Sequence, residues 1–376
     1  MSIETIITNA WQRKAAWLWL LLPISWLYGL ITLLRRHAYK VGLLSSYRAP
    51  IPVMVIGNIS VGGSGKTPLI IALVNHLQKR GIKVGVISRG YGGDTSQMPA
   101  LVNATSLPNV VGDEPCLIVH MTGVAMAVCP NRQQAITTLL DAEPDLQLII
   151  ADDGLQHYAL KRDIEWIVVD AARGFGNEQL LPTGFLREPM SRLEGAHVIY
   201  HDKPKTDLSH YHESSKNSHP PEHLTMHLQA DELQHLWSPQ SPIKQIDNVV
   251  PASNSRVHAV SGIGYPQRFF DTLESLGFDV IGHPYPDHYD FSLAELLQYS
   301  DYPIVVTSKD AVKIKALLSD YTAEQASSDE YAQLVSRLWV LPVTAVLSDN
   351  CYDNLNQQLK ALGIEADSDV GTKTPS

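Results

Sequence analysis

Short apolar runs alternate with helical patterns along most of this chain. Residues 53–56 (Val-Met-Val-Ile), 84–87, 124–128, 146–151, 166–170 and 198–200 are nearly continuous apolar runs of strand length, the pattern of strands buried on both faces. Between them, stretches beginning at 69, 116 and 132 place apolar residues at helical spacing. Lys79-Arg80-Gly81 ends the first of these with cations in the last turn and then a glycine cap. Strands alternating with helices predict a mainly parallel sheet covered by helices on both sides. Over 201–255 the pattern lapses into polar, turn-rich sequence, which reads as a linker. It resumes with strands at 256–260, 278–281, 304–307 and 338–346 and helices at 266–276, 292–298 and 311–317, a second and smaller α/β unit.

The N-terminus follows a different pattern. Residues 17–34 form an 18-residue span without a charged side chain, flanked by Arg13-Lys14 and Arg35-Arg36. That length lies at the lower edge for crossing a bilayer. Pro23, Ser25, Gly29 and Thr32 dilute the span, while Trp11, Trp17, Trp19, Trp26 and Tyr28 favour an interface. Basic residues on both sides suit a helix lying at an anionic membrane surface, or entering one leaflet, better than a crossing one. The plainer alternative is a buried helix packing on the first domain. No small-x-small cleavage site follows the span, which disfavours a secretory leader. The chain thus divides into an apolar membrane-associated helix (1–36), a first α/β domain (37–200), a polar linker (201–255), a second α/β domain (256–347) and a C-terminal helix with a disordered tail (348–376).

Composition narrows the classes. A net charge of −10 and a pI near 5.8 argue against a nucleic-acid binder, which would show a basic face. Cys116, Cys129 and Cys351 lie far apart and read as reduced thiols of a cytosolic compartment. The histidines between 210 and 219 lack neighbouring cysteines and helical H-x-x-x-H spacing, so a metal site is not expected there.

The chemistry concentrates after the first strand, where Ser60-Val61-Gly62-Gly63-Ser64-Gly65-Lys66-Thr67 leads through Pro68 into a helix. A strand, a glycine-rich turn and a helix are what a phosphate-binding loop requires. The glycines let backbone N–H groups turn onto the anion, and the helix N-terminus adds partial positive charge. Lys66 would reach the β- and γ-phosphates of a nucleoside triphosphate, and the Thr67 hydroxyl would take a place on Mg²⁺. Ser60 stands where the G-x-x-x-x-G-K-[ST] pattern has its first glycine. The fifth apolar run of the chain's first half, 166–170, is preceded by 146–151, which ends in Asp152-Asp153; acids at a strand's end hold the metal or its water shell beside such a loop. The loop Ser88-Arg89-Gly90-Tyr91 leaves the C-terminal end of another strand, which places Arg89 and Tyr91 to touch substrate or phosphate. Gly262-Ile263-Gly264 resembles the start of a dinucleotide fingerprint, but Gln267 occupies the third glycine's place, which rules it out. The fold class expected is a P-loop NTPase-type, mainly parallel sheet domain with a smaller α/β domain and an N-terminal membrane-associated helix.

Seven ordered motifs carry a family resemblance. They are Ser-Val-Gly-Gly-Ser-Gly-Lys-Thr-Pro (60–68), Ser-Arg-Gly-Tyr-Gly-Gly (88–93), Gly-Asp-Glu-Pro (112–115), Asp-Asp-Gly-Leu-Gln-His (152–157), Leu-Pro-Thr-Gly-Phe-Leu-Arg-Glu-Pro (181–189), Pro-Asp-His-Tyr-Asp-Phe (286–291) and Thr-Ser-Lys-Asp-Ala-Val-Lys (307–313). Together they resemble the tetraacyldisaccharide 4′-kinases, the lipid A 4′-kinases of Gram-negative bacteria. Ser308 departs from the glutamate of that pattern, and 201–255 is more polar than the family's. The resemblance implies ATP-dependent phosphorylation of the 4′-hydroxyl of a tetraacylated disaccharide 1-phosphate at the cytoplasmic face of the inner membrane. It implies ATP and Mg²⁺ as cofactors, a glycolipid and the inner-membrane surface as partners, and neither nucleic acid nor an obligate protein partner.

The resemblance also assigns roles. Asp113 and His288 form a dyad that takes the hydroxyl proton, and Lys66 acts on the transferring phosphate. Thr67, Asp152, Asp153 and Glu188 would hold the metal, Arg187 would clamp charge, and His157 would contact substrate or phosphate. Two other classes compete: a deviant Walker-A ATPase, which would carry lysine where Val61 stands, and a membrane-anchored GTPase switch reading guanine through Thr307–Asp310, whose Thr-Ser-Lys-Asp does not match Asn-Lys-x-Asp.

Overall fold

β1 (Val53–Gly57) is buried along its whole length, and its alternation sets out the layers of the molecule. Met54 and Ile56 face one side, Val53 and Val55 the other, as strand geometry demands. The structure is a computed structural model that describes residues 7, 10–11, 13–202, 224–236, 250–319 and 329–365.

The larger sheet begins with β1 and continues through β2 (Val84–Ser88), β3 (Ala100–Val102), β4 (Ala125–Val128), β5 (Leu148–Asp152), β6 (Ile164–Asp170), β7 (His197–His201) and β8 (Leu224–Ala230). The chain then builds a second sheet from β9 (Gln234–His235), β10 (Arg256–Ser261), β11 (Asp279–Pro284), β12 (Ile304–Thr307) and β13 (Leu338–Leu341) before β14 (Val343–Leu347) returns to the first. Among the described residues the order is β14-β8-β7-β6-β1-β5-β2-β4-β3 in one and β11-β10-β12-β13-β9 in the other. All pairings are parallel except at the margins, where β3, β14 and β9 run antiparallel to their neighbours.

Helices cover the larger sheet on both faces. α1 (Leu22–Lys40) precedes it, and α2 (Lys66–Lys79), α3 (Asp113–Thr122) and α4 (Arg132–Ala142) lie between its strands. The smaller unit carries α5 (Pro266–Ser275), α6 (Leu293–Leu297), α7 (Ser308–Ser319) and α8 (Asp329–Arg337), and α9 (Asp349–Ala361) ends the described chain. Leu69, Leu73 and Leu77 of α2, Ile118 of α3 and Leu355 and Leu359 of α9 pack with Met54 and Ile56. Ile136 and Leu139 of α4 pack with Val53 and Val55 on the opposite face. This is the helix-covered parallel sheet that the alternating pattern predicts.

Two boundaries differ from the sequence expectation. Part of the stretch expected as a linker, 201–255, is strand: β8 pairs with β7 in parallel register, Ile199 opposite Leu224, and its Leu224, Met226 and Leu228 reach the core alternately. The period-2 signal is there, but polar sequence on both sides hides it. The rest of the linker, including the histidine-rich run, falls largely outside the described residues, as does the tail beyond 365. The expected strand 338–346 is two strands in two different sheets. Pro342 interrupts them: it lacks an N–H for either ladder, and its carbonyl accepts from Asp231 N–H at 3.0 Å.

α1 runs to Lys40 rather than stopping at 36, behind a 3₁₀ turn over Ala16–Leu21. One face is docked. Ser25 donates through Oγ to Leu180 O at 3.0 Å and accepts from Thr183 N–H at 3.0 Å, while Tyr28 Oη donates to Arg187 O at 3.1 Å. The remainder presents Trp26, Leu27, Leu30, Leu33 and Leu34 to solvent, each more than half exposed. The fully buried alternative for this helix is thereby set aside.

Trp166 on β6 is fully buried and donates its indole N–H to Gln358 of α9 at 3.0 Å, tying the C-terminal helix to the sheet. Trp166→Ala should cost about 3–5 kcal/mol in denaturant unfolding. Trp166→Phe, which keeps an aromatic ring but loses the indole N–H to Gln358 and some packing, should cost about 1–3 kcal/mol.

Candidate functional site

The C-terminal ends of the parallel strands converge on one edge, where open α/β sheets hold ligands. From β1 the chain turns through Asn58 to Gly65 and enters α2 at Lys66. Gly62 and Gly65 have φ of +94° and +91°, a conformation that costs other residues dearly. Ser60 does not, so glycine is not needed where the consensus has it. Instead Ser60 bridges to Leu186, and Val61 N–H donates to Phe185 O at 2.8 Å, so the loop over 180–188 braces the phosphate loop like an extra strand. Arg173 donates to Val61 O at 2.6 Å from outside.

Lys66 reaches back over this turn. Its Nζ donates to Asn58 Oδ1 at 3.1 Å and lies 3.5 Å from Asp153 Oδ1. Asp153 also receives both arms of Arg187, at 2.9 and 2.8 Å. Burial opposes the charge of Asp153, but Lys66 and Arg187 outweigh it and hold the carboxyl well below the usual range. Asp152 is in the opposite condition. Fully enclosed, it is pushed up to about 7 by burial first and by the charges of Glu114 and Asp153. Its Oδ2 accepts from Ser88 Oγ at 3.1 Å, and Oδ1 has no protein partner among the described residues.

Glu188 departs from the expected metal set. One oxygen accepts from Gln156 Nε2 at 2.8 Å, the other from Tyr158 Oη at 2.7 Å, and Arg192 stands 3.3 Å away. Two protein donors and the Arg192 ion pair hold the carboxylate against its own loop, so in this arrangement Glu188 is tied to Gln156 and Tyr158. Among the described residues no cluster of three histidine, cysteine or acidic side chains is set to hold a metal. Arg187 is likewise engaged with Asp153 and with Asn58. Arg89 stands exposed at the end of β2. His157 is driven down to about 4 by burial and then by Arg132 and Arg162, so it is a neutral imidazole.

The second unit meets this edge at Asp113, the first residue of α3. His288 Nδ1 lies 3.0 and 3.1 Å from its two oxygens, across 175 residues of sequence. Lys309 Nζ completes the cluster, 3.0 Å from Glu114, 3.2 Å from Asp287 and 3.3 Å from His288 Nε2. Burial penalises Asp113, yet the hydrogen bond from His288 and the cations Lys309 and Lys313 bring its pKa below normal. Burial also opposes the imidazolium, but the bond to Asp113 carries the His288 pKa above its ordinary value. Tyr91, 64% exposed, sets its ring 4.8 Å from that of His288. Asp310, the residue a guanine-reading loop would aim at a base, is buried and accepts from Gly262 N–H at 3.0 Å and Thr307 Oγ1 at 2.8 Å.

Sequence reasoning did not find Arg132, Arg268 or His201. Arg132 is buried, donates to Asp152 O at 2.8 Å and leaves Nη1 without a protein partner among the described residues. Arg268 joins Asp170 at 2.7 Å and Asp202 at 3.3 Å, and its Nη1 lies 3.2 Å from His201 Nδ1. Asp170 and His201 each end an apolar strand, the signal that singles out Asp152, and could have been found by it. Nothing in the local sequence marks Arg268.

The His288 assignment has a direct check. The raised imidazole pKa contributes stability that is full below the unfolded histidine value and lost as pH rises through the folded one. Asp113→Ala removes both the bond and the charge that raise it and leaves burial and Lys309 opposed chiefly by Asp287. The His288 titration followed by NMR should therefore move to lower pH.

Comparison with known proteins places these residues in context. Residues 17–360 match a family model described as tetraacyldisaccharide-1-P 4′-kinase. A chain from Psychrobacter cryohalolentis named tetraacyldisaccharide 4′-kinase is 74% identical over 370 residues, 97% of this chain and 98% of that one. One of the same name from Ectopseudomonas mendocina is 40% identical over 96% of this chain and 99% of its own. A solved structure of LpxK from Aquifex aeolicus in complex with ATP superposes with a TM-score of 0.63 at 25% identity, covering 91% of this chain and 98% of that one.

Proposed function

This chain belongs to the tetraacyldisaccharide-1-P 4′-kinase family, and on that premise we propose that it transfers the γ-phosphoryl group of ATP to the 4′-hydroxyl of a tetraacylated disaccharide 1-phosphate. The observation that carries the chemistry is the meeting of Asp113, beside the phosphate loop, with His288 from the other unit. A sugar hydroxyl is a poor acid and needs an acceptor for its proton near neutral pH.

ATP would lie with its phosphates on the N–H groups of 60–67 and the N-terminus of α2. Lys66, now shared between Asn58 and Asp153, would turn to the transferring phosphate, and Arg132, held on the backbone of Asp152, would add positive charge beside the acids. Mg²⁺ suits the chemistry of Asp152, Asp153 and Thr67: a buried carboxylate with a free oxygen and a raised pKa is stabilised by a hard cation. When bound, the metal would neutralise charge on the β- and γ-oxygens.

The hydroxyl proton passes to His288 Nε2 as the sugar oxygen bonds to phosphorus, and the bond to the bridging oxygen breaks to leave ADP. Asp113 at Nδ1 keeps that proton-bearing nitrogen away from substrate and stabilises the imidazolium. Lys309, which donates to Nε2 in the resting arrangement, has to yield that lone pair to the hydroxyl. Base catalysis needs neutral imidazole, so kcat/KM should climb as pH rises through the raised His288 pKa and then level.

We place the enzyme at the cytoplasmic face of the inner membrane, where its acylated acceptor resides. The exposed apolar face of α1 and its flanking Arg35 and Arg36 support that location.

Three measurements test these assignments. Phosphate from labelled ATP should enter tetraacyldisaccharide 1-phosphate in mixed micelles, and ATP hydrolysis without labelling would defeat the proposal. His288→Ala should lower kcat about 10²-fold with little change in ATP affinity, and Lys66→Ala should cost more, on the order of 10³-fold. Serine at exposed Leu27, Leu30 and Leu34 together should abolish sedimentation with anionic vesicles while leaving the fold intact; sedimentation equal to that of the parent chain would remove α1 as the anchor.

A further inference from the structure

The turn after β10, Gly262-Ile263-Gly264-Tyr265, leads into α5 and binds no dinucleotide by its pattern, yet it stands directly against the phosphate loop. A β-carbon built on Gly264 would lie 2.9 Å from Gly63 N, 3.3 Å from Gly62 Cα and 3.1 Å from Asp287 Oδ2. The first two contacts are with backbone, which cannot swing aside as a side chain does. Gly264 lies outside the left-handed region, so its bare Cα serves close approach and not a special conformation.

The other end of the turn carries the imidazole. Gly262 O accepts from His288 N–H at 3.2 Å, and Gly262 N–H is held at 3.0 Å by the buried Asp310. Asp287, the carboxylate a Gly264 side chain would press, also accepts from His288 N–H, at 3.0 Å, and pairs with Lys309 at 3.2 Å. His288 itself sits at φ +57°, uncommon for a side chain of its size, so its placement depends on these neighbours. Just beyond the turn, Arg268 joins Asp170 of β6 at 2.7 Å and His201 at 3.2 Å, and His201 Nδ1 lies 3.3 Å from Ser64 O. The segment 262–268 thus lies close against the phosphate loop at Gly264, approaches it again through Arg268 and His201, and bonds to His288 at Gly262.

We propose that Gly264 is a positioning residue through which the phosphate loop sets the place of His288, so that the base and the bound triphosphate share one frame. This rests on the phosphotransfer reading above. Gly264 touches no reacting atom in it; it acts through the contact of its backbone with Gly63 and through the 262–264 turn.

A double-mutant cycle at saturating ATP and glycolipid tests the coupling. Gly264→Ala in the parent chain should lower kcat on the order of ten- to a hundredfold, as small misplacements of a reacting group do. In a His288→Ala background the same substitution should cost several-fold less, because the imidazole it misplaces is gone and only the disturbance of Gly63 N–H remains. Equal fold-losses in both backgrounds, or an unchanged kcat in the parent, would overturn the proposal. If Gly264→Ala does not fold, Gly262→Ala repeats the comparison from the other end of the turn. There the new β-carbon meets Asp310 Oδ1 and Pro286 O at a milder 3.1 and 3.2 Å, and the same dependence on His288 is expected. Failure of the unsubstituted chain to label the glycolipid would defeat the reaction itself and this proposal with it. Labelling with equal losses in both backgrounds would remove only the role of Gly264.

Discussion

The site is organised by a shared charge cluster at the seam between the two units. Asp113 and Glu114 come from the larger sheet's α3; Asp287, His288, Lys309 and Lys313 come from the smaller unit. None of these groups is solvated enough to be indifferent to its partners: Asp113 and Lys309 keep only 5% and 15% of their side-chain surface. Breaking one contact would leave a buried charge uncompensated, which costs far more than an exposed pair is worth. The cluster therefore both joins the units and fixes where an imidazole sits relative to the phosphate loop.

A second set of contacts links the surface helix to the same loop. Ser25 and Tyr28 of α1 hold the backbone of Leu180, Thr183 and Arg187. Arg187 in turn clamps Asp153, and Leu186 and Phe185 brace Ser60 and Val61. This loop therefore touches both the exposed apolar helix and the phosphate loop. Glu188 ties the same loop to Gln156 and Tyr158.

Much of the architecture was legible in the order of residues because burial on both faces writes parallel strands as unbroken apolar runs. β1, β2, β5, β6, β10 and β12 all follow from that signal. β8 did not, because only one face of an edge-proximal strand is apolar and its neighbours are polar; nor did the split of 338–347, because periodicity cannot say which of two sheets a strand joins. The phosphate loop was legible for a local reason, since glycine at positive φ and a lysine at a helix start are properties of adjacent residues.

The chain's order alone determined the phosphate loop, the acids at the end of β5 and the two-unit α/β plan, because each depends on neighbours within a few residues. Tertiary structure alone decided that Glu188 bonds to Gln156 and Tyr158, that Arg132 reaches the backbone of Asp152 and Arg268 the side chains of Asp170 and His201 at the strand ends, and that Gly264 abuts Gly63. Those facts are distances between segments well separated in the chain, by 20 residues for Arg132 and Asp152 and by far more for Gly264 and Gly63, or between a carboxylate and the donors that reach it first. The pairing of Asp113 with His288 stood between the two: family resemblance suggested it, and the folding of one sheet's turn against the other's helix supplied the 3.0 Å that gives it chemical meaning.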